Sequence, residues 1–178
     1  MVCRLAALAL SAVVAFPVEA PAQVRPAQPS DSAVLAAARG VMRTARYATM
    51  VTVGRDGHPQ ARIVDPFEPE GDMTIWVATN PATRKVRELE RDPRVTLLYF
   101  DPADPGYVTL IGEAAVVNDR AERTKRWKPE WKPFYADENR GDDYVLIRVR
   151  PRRLEIVSTR HNLLNDPATW RPITIELR

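Results

Sequence analysis

The sequence contains few of the residues from which disulfides, metal centres and nucleotide-binding loops are built. Its single cysteine, Cys3, excludes a disulfide within the chain, and its two histidines provide few ligands for a transition metal. It contains neither a P-loop nor the glycine fingerprint of dinucleotide-binding folds. No apolar run reaches the roughly 18 residues of a membrane-spanning helix. We therefore expect no metal site, and no membrane span once a signal segment has been removed.

The composition is that of one folded domain with a weak excess of positive charge. Of the 178 residues, 45% are apolar and 28% are charged, which is typical of a globular protein. The 26 basic and 23 acidic residues give a formal charge of +3, too little to indicate a nucleic-acid partner. A polyanion-binding surface on the basic stretch at residues 120–132 ranks last among the candidate functions, because acidic residues dilute the positive charge of that stretch.

The first 22 residues have the three parts of a secretory signal peptide. A basic start precedes the uncharged segment LAALALSAVVAF (residues 5–16), and Ala20-Pro21-Ala22 is typical of a cleavage site. A buried N-terminal helix is the alternative, but Pro17 and Pro21 would interrupt it. We expect residues 1–22 to be removed and the protein to be exported, either periplasmic or secreted.

Hydrophobic periodicity predicts a mostly β domain at residues 31–178, preceded by a flexible tether at residues 23–30. A helix is predicted from a cap at Ser30 or Asp31 to about Arg43, and a second at residues 82–91. A third is predicted from a cap at Asn118 or Asp119 to about Trp127. Segments with a period of two predict strands at residues 47–53, 60–65, 73–79, 94–100, 107–117, 144–150, 152–158 and 173–177. Gly112 predicts a bulge or bend. Six or more antiparallel strands with few helices favour an α+β domain closed into a barrel, because closure removes exposed edges.

The segment TNPATRKVREL (residues 79–89) is the most informative part of the chain. Asn80 is a favoured N-cap residue, and Pro81 suits the first position of a helix. Arg84, Lys85 and Arg87 nevertheless crowd the first two turns, where the helix dipole favours negative charge. This conflict points to a bound anion.

Two interpretations of these cations remain open. A phosphate could accept hydrogen bonds from free backbone N–H groups, the Thr83 hydroxyl and two cationic side chains together. Alternatively, the helix is solvated and Arg84 pairs with Glu88.

Arg62 is a second candidate ligand, on the predicted strand at residues 60–65. Because residues two apart share a face, Arg62 and Val64 point one way while Ile63 and Asp65 point the other. If Ile63 faces the core, Arg62 faces a groove or solvent, and an exposed arginine is the commoner case.

Aromatic residues could wall a flat cofactor or form core and dimer contacts, and the sequence leaves both possibilities open. They are Trp76, Tyr99, Trp127, Trp131, Phe134, Tyr135 and Trp170. His161 follows Ser158 by three residues, but the sequence offers no evident carboxylate to orient such a pair. His58 lies in a predicted turn, where we expect it to be solvated.

The order of the elements resembles the pyridoxamine 5′-phosphate oxidase-like, FMN-binding split-barrel superfamily, and within it the general stress protein 26 type. The resemblance covers roughly residues 36–158. It rests on YATMVTVGRDGHPQARIVD, IWVATNPATRKVREL, RVTLLYFDP and GEAAVVNDRAERTKRW. The second motif is the most specific, because a strand ending in Thr and followed by Ser/Thr-Arg-Lys is similar to the family's phosphate-binding turn. The implied fold is a six-stranded antiparallel split β-barrel with flanking helices.

The resemblance also implies a homodimer with two FMN sites at the subunit interface. Arg62, Ile63 and Val64 would lie along the flavin, with Arg62 also near its phosphate, and Ala78 and Thr79 would border its ring. The phosphate ligands it implies are Thr83, Arg84 and Lys85. Trp127 matches a tryptophan that often ends the helix after the long strand, and Trp170 and Arg171 could reach the partner's site.

The implied function is flavin-dependent oxidation or reduction of an unidentified small molecule. A non-catalytic flavin- or haem-binding carrier is the alternative. The deazaflavin F420, haem or no cofactor remain alternatives to FMN. Only Arg160-His161 is similar to the family's late Arg/His pair, so we do not expect oxidation of pyridoxamine phosphate itself.

Overall fold

A computed structural model describes residues 29–135 and 143–177. The predicted signal peptide at residues 1–22 and all but the last two residues of the predicted tether lie outside the described residues. Ser30 caps the first helix as predicted, since its hydroxyl accepts a hydrogen bond from the Ala33 N–H. Of the helices described, none is long and apolar enough to cross a bilayer.

The described residues form seven strands and three α-helices. The helices are α1 (Asp31–Ala45), α2 (Arg84–Arg91) and α3 (Arg120–Lys125). The strands are β1 (Ala48–Val53), β2 (Pro59–Val64), β3 (Ile75–Thr79), β4 (Arg94–Asp101), β5 (Gly106–Val117), β6 (Val145–Val157) and β7 (Ile173–Glu176). A short 3₁₀ turn, Pro129–Trp131, follows α3.

The strands form one antiparallel sheet that curls until its two ends meet. Strand order is β2-β1-β4-β5-β6-β3, and β7 pairs with β6 outside this path. An isolated bridge between Pro66 and Val77 joins the β2 end to the β3 end. Within the described residues, β2 and β3 form no ladder with each other beyond this bridge. The barrel is therefore closed at the bridge and split elsewhere along these two strands. The predicted α+β split barrel is confirmed, with β7 as an additional strand.

Strand β6 corrects the prediction of two strands at residues 144–150 and 152–158. It runs without a break through Pro151, which pairs with Gly112 of β5, and the register shift between Ile111 and Gly112 skips the neighbouring Arg152. Proline cannot donate to a ladder, but the locally disrupted ladder of a bulge tolerates it. A Cβ at Gly112 would lie 2.2 Å from the Arg150 carbonyl oxygen, so only glycine allows the strands to approach this closely. The bulge predicted at Gly112 is confirmed.

The core fills the barrel and is extended by two helices. Helix α1 packs against β4 and β5 and buries Val34, Ala38 and Val41. Helix α2 packs against β1 and β5 and buries Val86 and Leu89. Because α2 directly follows β3, this packing brings its polar residues beside the split between β2 and β3.

Candidate functional site

Helix α2 begins two residues later than predicted. Its N-cap is Thr83, whereas the Asn80 carboxamide accepts a hydrogen bond from the Ala82 N–H (2.8 Å) and closes a turn. The prediction that Asn80 caps the helix and Pro81 opens it is therefore wrong. The Thr83 hydroxyl donates to the Asn80 carbonyl (2.8 Å) and makes no capping bond, and the first turn contains no acidic residue. The N-terminus of α2 thus keeps its partial positive charge uncompensated by its own side chains.

A buried carboxylate, Glu88 of α2, lies at the centre of the candidate site. Glu88 is 3% exposed, and its Oε2 accepts hydrogen bonds from the Thr52 hydroxyl on β1 (2.6 Å) and from Arg62 Nη2 on β2 (2.7 Å). The second guanidinium nitrogen, Nη1, donates to the Thr52 hydroxyl. Burial raises the pKa of Glu88, but the Thr52 hydrogen bond and the Arg62 charge outweigh it, so the pKa lies below its ordinary value. Glu88 is therefore ionised and fixes Arg62 at the split.

Arg84 and Lys85 add two cations to the same carboxylate. Arg84 Nε lies 3.0 Å from Glu88 Oε1, so the Arg84–Glu88 pair of the alternative interpretation is present. Lys85 is half-buried, and burial together with the charge of Arg62 lowers its pKa, with Glu88 opposing them. Arg62 and Arg84 thus pair with one carboxylate, and Lys85 lies near enough for the charges of Arg62 and Glu88 to act on it. The ion pairs leave positive charge unbalanced, so the phosphate interpretation stays a prediction beside the observed Arg84–Glu88 pair.

The orientation of β2 corrects the expectation for Arg62. Ile63 is 67% exposed on the outer face, whereas Arg62 and Val64 point inwards. The Arg62 side chain is only 18% exposed, because Glu88 and Thr52 supply the partners that a buried guanidinium requires. Arg62 is therefore held in place, rather than being an exposed strand arginine.

The predicted residues at the end of β3 lie next to the start of α2. The Thr79 and Thr83 hydroxyls are 3.3 Å apart, and Thr79 is buried. Ala78 is half-buried and packs against a cluster of aromatic side chains.

The remaining predicted residues do not join the Glu88 cluster. Trp127 packs edge-on against Trp131, Tyr135 and Tyr144, with ring centroids 5.6–6.3 Å apart. Trp127 therefore belongs to a second, aromatic core cluster beside Ala78. Trp170 is 77% exposed in the loop before β7, and Arg171 beside it is also exposed. Neither contacts the site within the chain.

Sequence reasoning missed Thr52 and underrated Glu88, which it considered only as a partner of Arg84. Thr52 follows Ala48 and Met50 on the inward face of β1, where a polar residue requires a hydrogen-bond partner. A polar residue in this otherwise apolar row could have indicated a buried polar contact at Thr52. Glu88 gave no comparable signal, because its burial depends on where α2 packs.

A carboxylate, Asp104, does lie beside the Ser158–His161 pair, but it contacts the serine and not the histidine, which is not the arrangement of a catalytic nucleophile. Ser158 is fully buried, and its hydroxyl donates to Asp104 (2.7 Å) and contacts His161 Nδ1 (2.8 Å). The carboxylate therefore binds the serine and does not orient the histidine. This cluster fastens the turn after β6 to the β4–β5 turn. His58 is exposed, as predicted.

An open cavity of about 840 Å³ adjoins the Glu88 cluster, with Arg84 and Glu88 in its wall. The β1–β2 hairpin and α2 provide its other walls: Gly54, Arg55, Asp56, Gln60, Arg87 and Arg91. Across residues 29–135 and 143–177, no group of three or more His, Cys, Asp or Glu side chains is placed to hold a metal ion.

Comparisons with known proteins agree with this architecture. A curated relative, general stress protein 26 of Bacillus subtilis, is 25% identical over 116 residues, which cover 64% of this chain and 80% of that protein. A Clostridium acetobutylicum protein related to general stress protein 26 has a TM-score of 0.69 at 18% identity, covering 83% of this chain and 96% of that one. A Nostoc punctiforme protein described as pyridoxamine 5′-phosphate oxidase-related and FMN-binding has a TM-score of 0.57 at 13% identity, covering 85% and 99%.

The two structural similarities show the fold alone, because their sequence identities are low. The sequence model described as pyridoxamine 5′-phosphate oxidase matches residues 34–158, which is more than half of the chain. This match includes all of β1–β6 and the whole Glu88 cluster. The resemblance inferred from the motifs is thereby confirmed, and the chain belongs to the pyridoxamine 5′-phosphate oxidase-like family.

Proposed function

We propose that this protein binds FMN at the split of the barrel and is a flavin-dependent oxidoreductase acting on a small molecule. The observation that carries the proposal is the grouping of Arg62, Arg84 and Lys85 around the single carboxylate of Glu88. The Nostoc punctiforme neighbour described as FMN-binding supports the choice of ligand.

The charges around Glu88 suit a phosphate monoester. Burial and, after it, the charge of Arg62 lower the pKa of Lys85, and the second effect means that the two cations repel each other at this position. A phosphate dianion would remove this repulsion and would accept charge-assisted hydrogen bonds from Arg84 and Lys85. The uncapped N-terminus of α2 would add backbone donors. Thr83 fits less well as a phosphate donor, since its hydroxyl hydrogen already points to Asn80.

The flavin ring would extend from the phosphate along β2 and β3. Ile63 presents an exposed apolar side chain on this path, and Ala78 is half-buried beside the aromatic cluster. When bound, FMN supplies the hydride or electron chemistry, and the protein supplies binding, orientation and electrostatics. The role of the chain is then to hold the phosphate and keep Arg62 in position through Glu88.

The substrate is expected to differ from pyridoxamine phosphate. Arg160 pairs with Asp101 and His161 with Ser158, so both members of this late Arg/His pair are engaged in the turn after β6. Neither is free to receive a substrate phosphate without breaking these contacts.

We further propose a homodimer with cofactor sites at its interface, located in the periplasm or outside the cell. Ile63 on β2 and Leu98 and Phe100 on β4 are exposed apolar residues on the outer face of the two strands that flank β1, which supports burial by a second copy. Trp170 and Arg171 lie outside the site of their own chain and could reach that of the partner. Export rests on the signal-like segment at residues 1–22.

The test is flavin binding by the purified protein, followed by absorption after desalting and by quenching of flavin fluorescence. Riboflavin, which lacks the phosphate, should bind about a hundredfold more weakly than FMN, from two charge-assisted hydrogen bonds of about 1.5 kcal/mol each. Arg84→Ala combined with Lys85→Ala should weaken the binding of FMN by the same factor and leave the affinity for riboflavin unchanged.

Arg152→Ala combined with Arg153→Ala is the matched control, because it removes the same charge from two surface ion pairs on β6. It should leave FMN affinity unchanged. Equal affinities for FMN and riboflavin would refute the phosphate assignment. Retained FMN that neither NADH nor NADPH reduces would favour the carrier function instead, and a Soret band would assign haem.

A further inference from the structure

The face of α2 next to the β1–β2 hairpin carries a row of three arginines. Arg84, Arg87 and Arg91 are spaced three and four residues apart, so they lie on one side of the helix. All three are exposed, and the helical rise of about 1.5 Å per residue spreads them over roughly 10 Å. Like charges at this spacing destabilise a helix, so the row is unfavourable unless an anion binds beside it.

This row forms one wall of the open cavity of about 840 Å³ beside the Glu88 cluster. The hairpin forms another wall, in which Arg55 adds a fourth arginine and Gln60 adds a neutral amide. The volume is within the range of small-molecule sites. The cavity is therefore a groove with arginines on two walls, which differs from a charged helix face in open solvent.

The two carboxylates in the wall of the groove do not balance its four arginines. Glu88 already pairs with Arg62 and Arg84. Asp56 accepts a hydrogen bond from the backbone N–H of His58 in the hairpin turn. The groove therefore keeps an excess of positive charge.

Two acidic residues at the end of α2 also leave this charge uncompensated. The Asp92 carboxylate is bound by Arg94 (2.6 Å), and hydrogen bonds from Arg94, with a smaller effect of the Arg91 charge, lower the pKa of Asp92 to about 2. Glu90 is exposed and does not line the groove. Both carboxylates thus lie outside the groove.

Three of the four arginines are available to a ligand. Within the part of the chain that the structure describes, Arg55, Arg87 and Arg91 have no carboxylate at ion-pair distance. Arg87 donates to the Ala82 carbonyl (2.8 Å), and Arg91 donates to the Val53 carbonyl (3.0 Å). Each of these bonds restrains a guanidinium and leaves its other N–H groups free to donate.

The cations of the groove are all arginines, which favours a phosphate chain as the ligand. A guanidinium binds phosphate oxygens in a bidentate manner, whereas a lysine ammonium acts as a point charge. A row of roughly 10 Å is longer than one phosphate group and suits several phosphates in line. We propose that the groove binds a condensed phosphate chain, held by Arg87 and Arg91 of α2 and by Arg55 of the hairpin.

The proposal is tested by isothermal titration calorimetry of the purified protein with inorganic tripolyphosphate, at low ionic strength and without divalent cations. Orthophosphate, which has a single phosphate group, is the matched ligand. Tripolyphosphate should bind at one saturable site and about tenfold more tightly than orthophosphate, and its affinity should fall as salt screens the charges. Equal affinities for tripolyphosphate and orthophosphate would overturn the proposal.

ATP distinguishes the two sources of such a chain. Tighter binding of ATP than of tripolyphosphate would assign the groove to a nucleotide, and equal affinities would assign it to the phosphate chain alone. Both results support the proposal. Tighter binding of a hexaglutamate peptide than of tripolyphosphate would overturn it, because the groove would then suit an acidic polypeptide.

Two double variants separate the groove from attraction by net charge. Arg87→Gln combined with Arg91→Gln should weaken tripolyphosphate binding about tenfold. Arg152→Gln combined with Arg153→Gln removes the same charge from β6, outside the groove, and should leave the affinity unchanged. The urea midpoint of unfolding checks that both variants are folded. Equal weakening by the two variants would overturn the proposal.

Competition with FMN separates this groove from the proposed flavin site. Tripolyphosphate should still bind at a saturable site when FMN is present in excess. Competitive displacement by FMN would overturn the proposal, because the groove would then belong to the flavin phosphate. The FMN assignment is tested by comparing FMN with riboflavin, without tripolyphosphate, so the failure of either proposal is recognised independently.

Discussion

Replacing Glu88 by glutamine tests whether this buried carboxylate holds the candidate site together. Glu88→Gln keeps the size of the side chain and an oxygen that can accept from Thr52. It removes the negative charge that Arg62 and Arg84 share. The variant therefore isolates the electrostatic contribution of Glu88 from its packing.

The expected loss of stability follows from the burial of the partners. Removing one member of a fully buried ion pair costs about 3–5 kcal/mol, because the other charge is left without compensation. The Arg62 side chain is 18% exposed and the Arg84 side chain 62%, so water can solvate part of the remaining charge. We expect the free energy of unfolding to fall by about 2–3 kcal/mol near neutral pH, less than for a fully buried pair.

The pH dependence of this loss identifies its cause. Because the pKa of folded Glu88 lies below its ordinary value of 4.5, its stabilising contribution is complete above pH 4.5. The contribution disappears as the pH falls through the lower pKa of the folded state. The difference between the native protein and Glu88→Gln, measured by urea unfolding, should therefore be constant near neutrality and shrink in acid.

Glu90→Gln on the exposed side of the same helix is the control, with an expected change below about 0.5 kcal/mol. A Glu88→Gln loss no larger than this control would show that the cluster contributes nothing to stability. A difference that stays constant to about pH 3 would show that the carboxylate charge is not its source.

Two further substitutions test other parts of the fold by urea unfolding. Gly112→Ala places a Cβ 2.2 Å from the Arg150 carbonyl oxygen and should cost about 1–3 kcal/mol, whereas Gly71→Ala, with nothing within 4 Å, should cost less than about 0.5 kcal/mol. Equal losses would show that β5 and β6 can separate at the bulge without cost. Asp104→Ala leaves the buried Ser158 hydroxyl without its acceptor and should cost about 1–3 kcal/mol, and an unchanged unfolding energy would show that the turn after β6 is held by other contacts.

The elements that could be predicted from the sequence depend on short-range regularities. Strand patterning located each described strand, although it divided β6 in two. The side chains of Ser30 and Asp119 cap α1 and α3, each being one of the two cap residues expected. The bulge at Gly112 was predictable because glycine inside a strand usually marks a close approach of two backbones. These signals involve only neighbouring residues, and tertiary packing did not override them.

The errors arose where a partner from elsewhere in the chain decides the outcome. Pro151 would end an isolated strand, but in the sheet it pairs with Gly112 beside a register shift that skips Arg152. Asn80 has the residue type of an N-cap, yet its carboxamide bonds within the preceding turn and α2 starts at Arg84. Ile63 was considered for the core, but it is exposed on the outer face, and Arg62 points inwards because it pairs with the buried Glu88.

The candidate site likewise combines residues that the sequence could identify with contacts that it could not. The cations Arg84 and Lys85 were recognisable from the sequence, because positive charge at a helix N-terminus is unfavourable without an anion. That Arg62 shares a carboxylate with them was not recognisable. Thr52 and Arg62 lie 36 and 26 residues before Glu88, and they meet only when α2 packs beside β1 at the split. The sequence determined the order of the elements and the chemistry of the ligands, whereas burial in the tertiary structure decided which of the charges are brought together and left unbalanced.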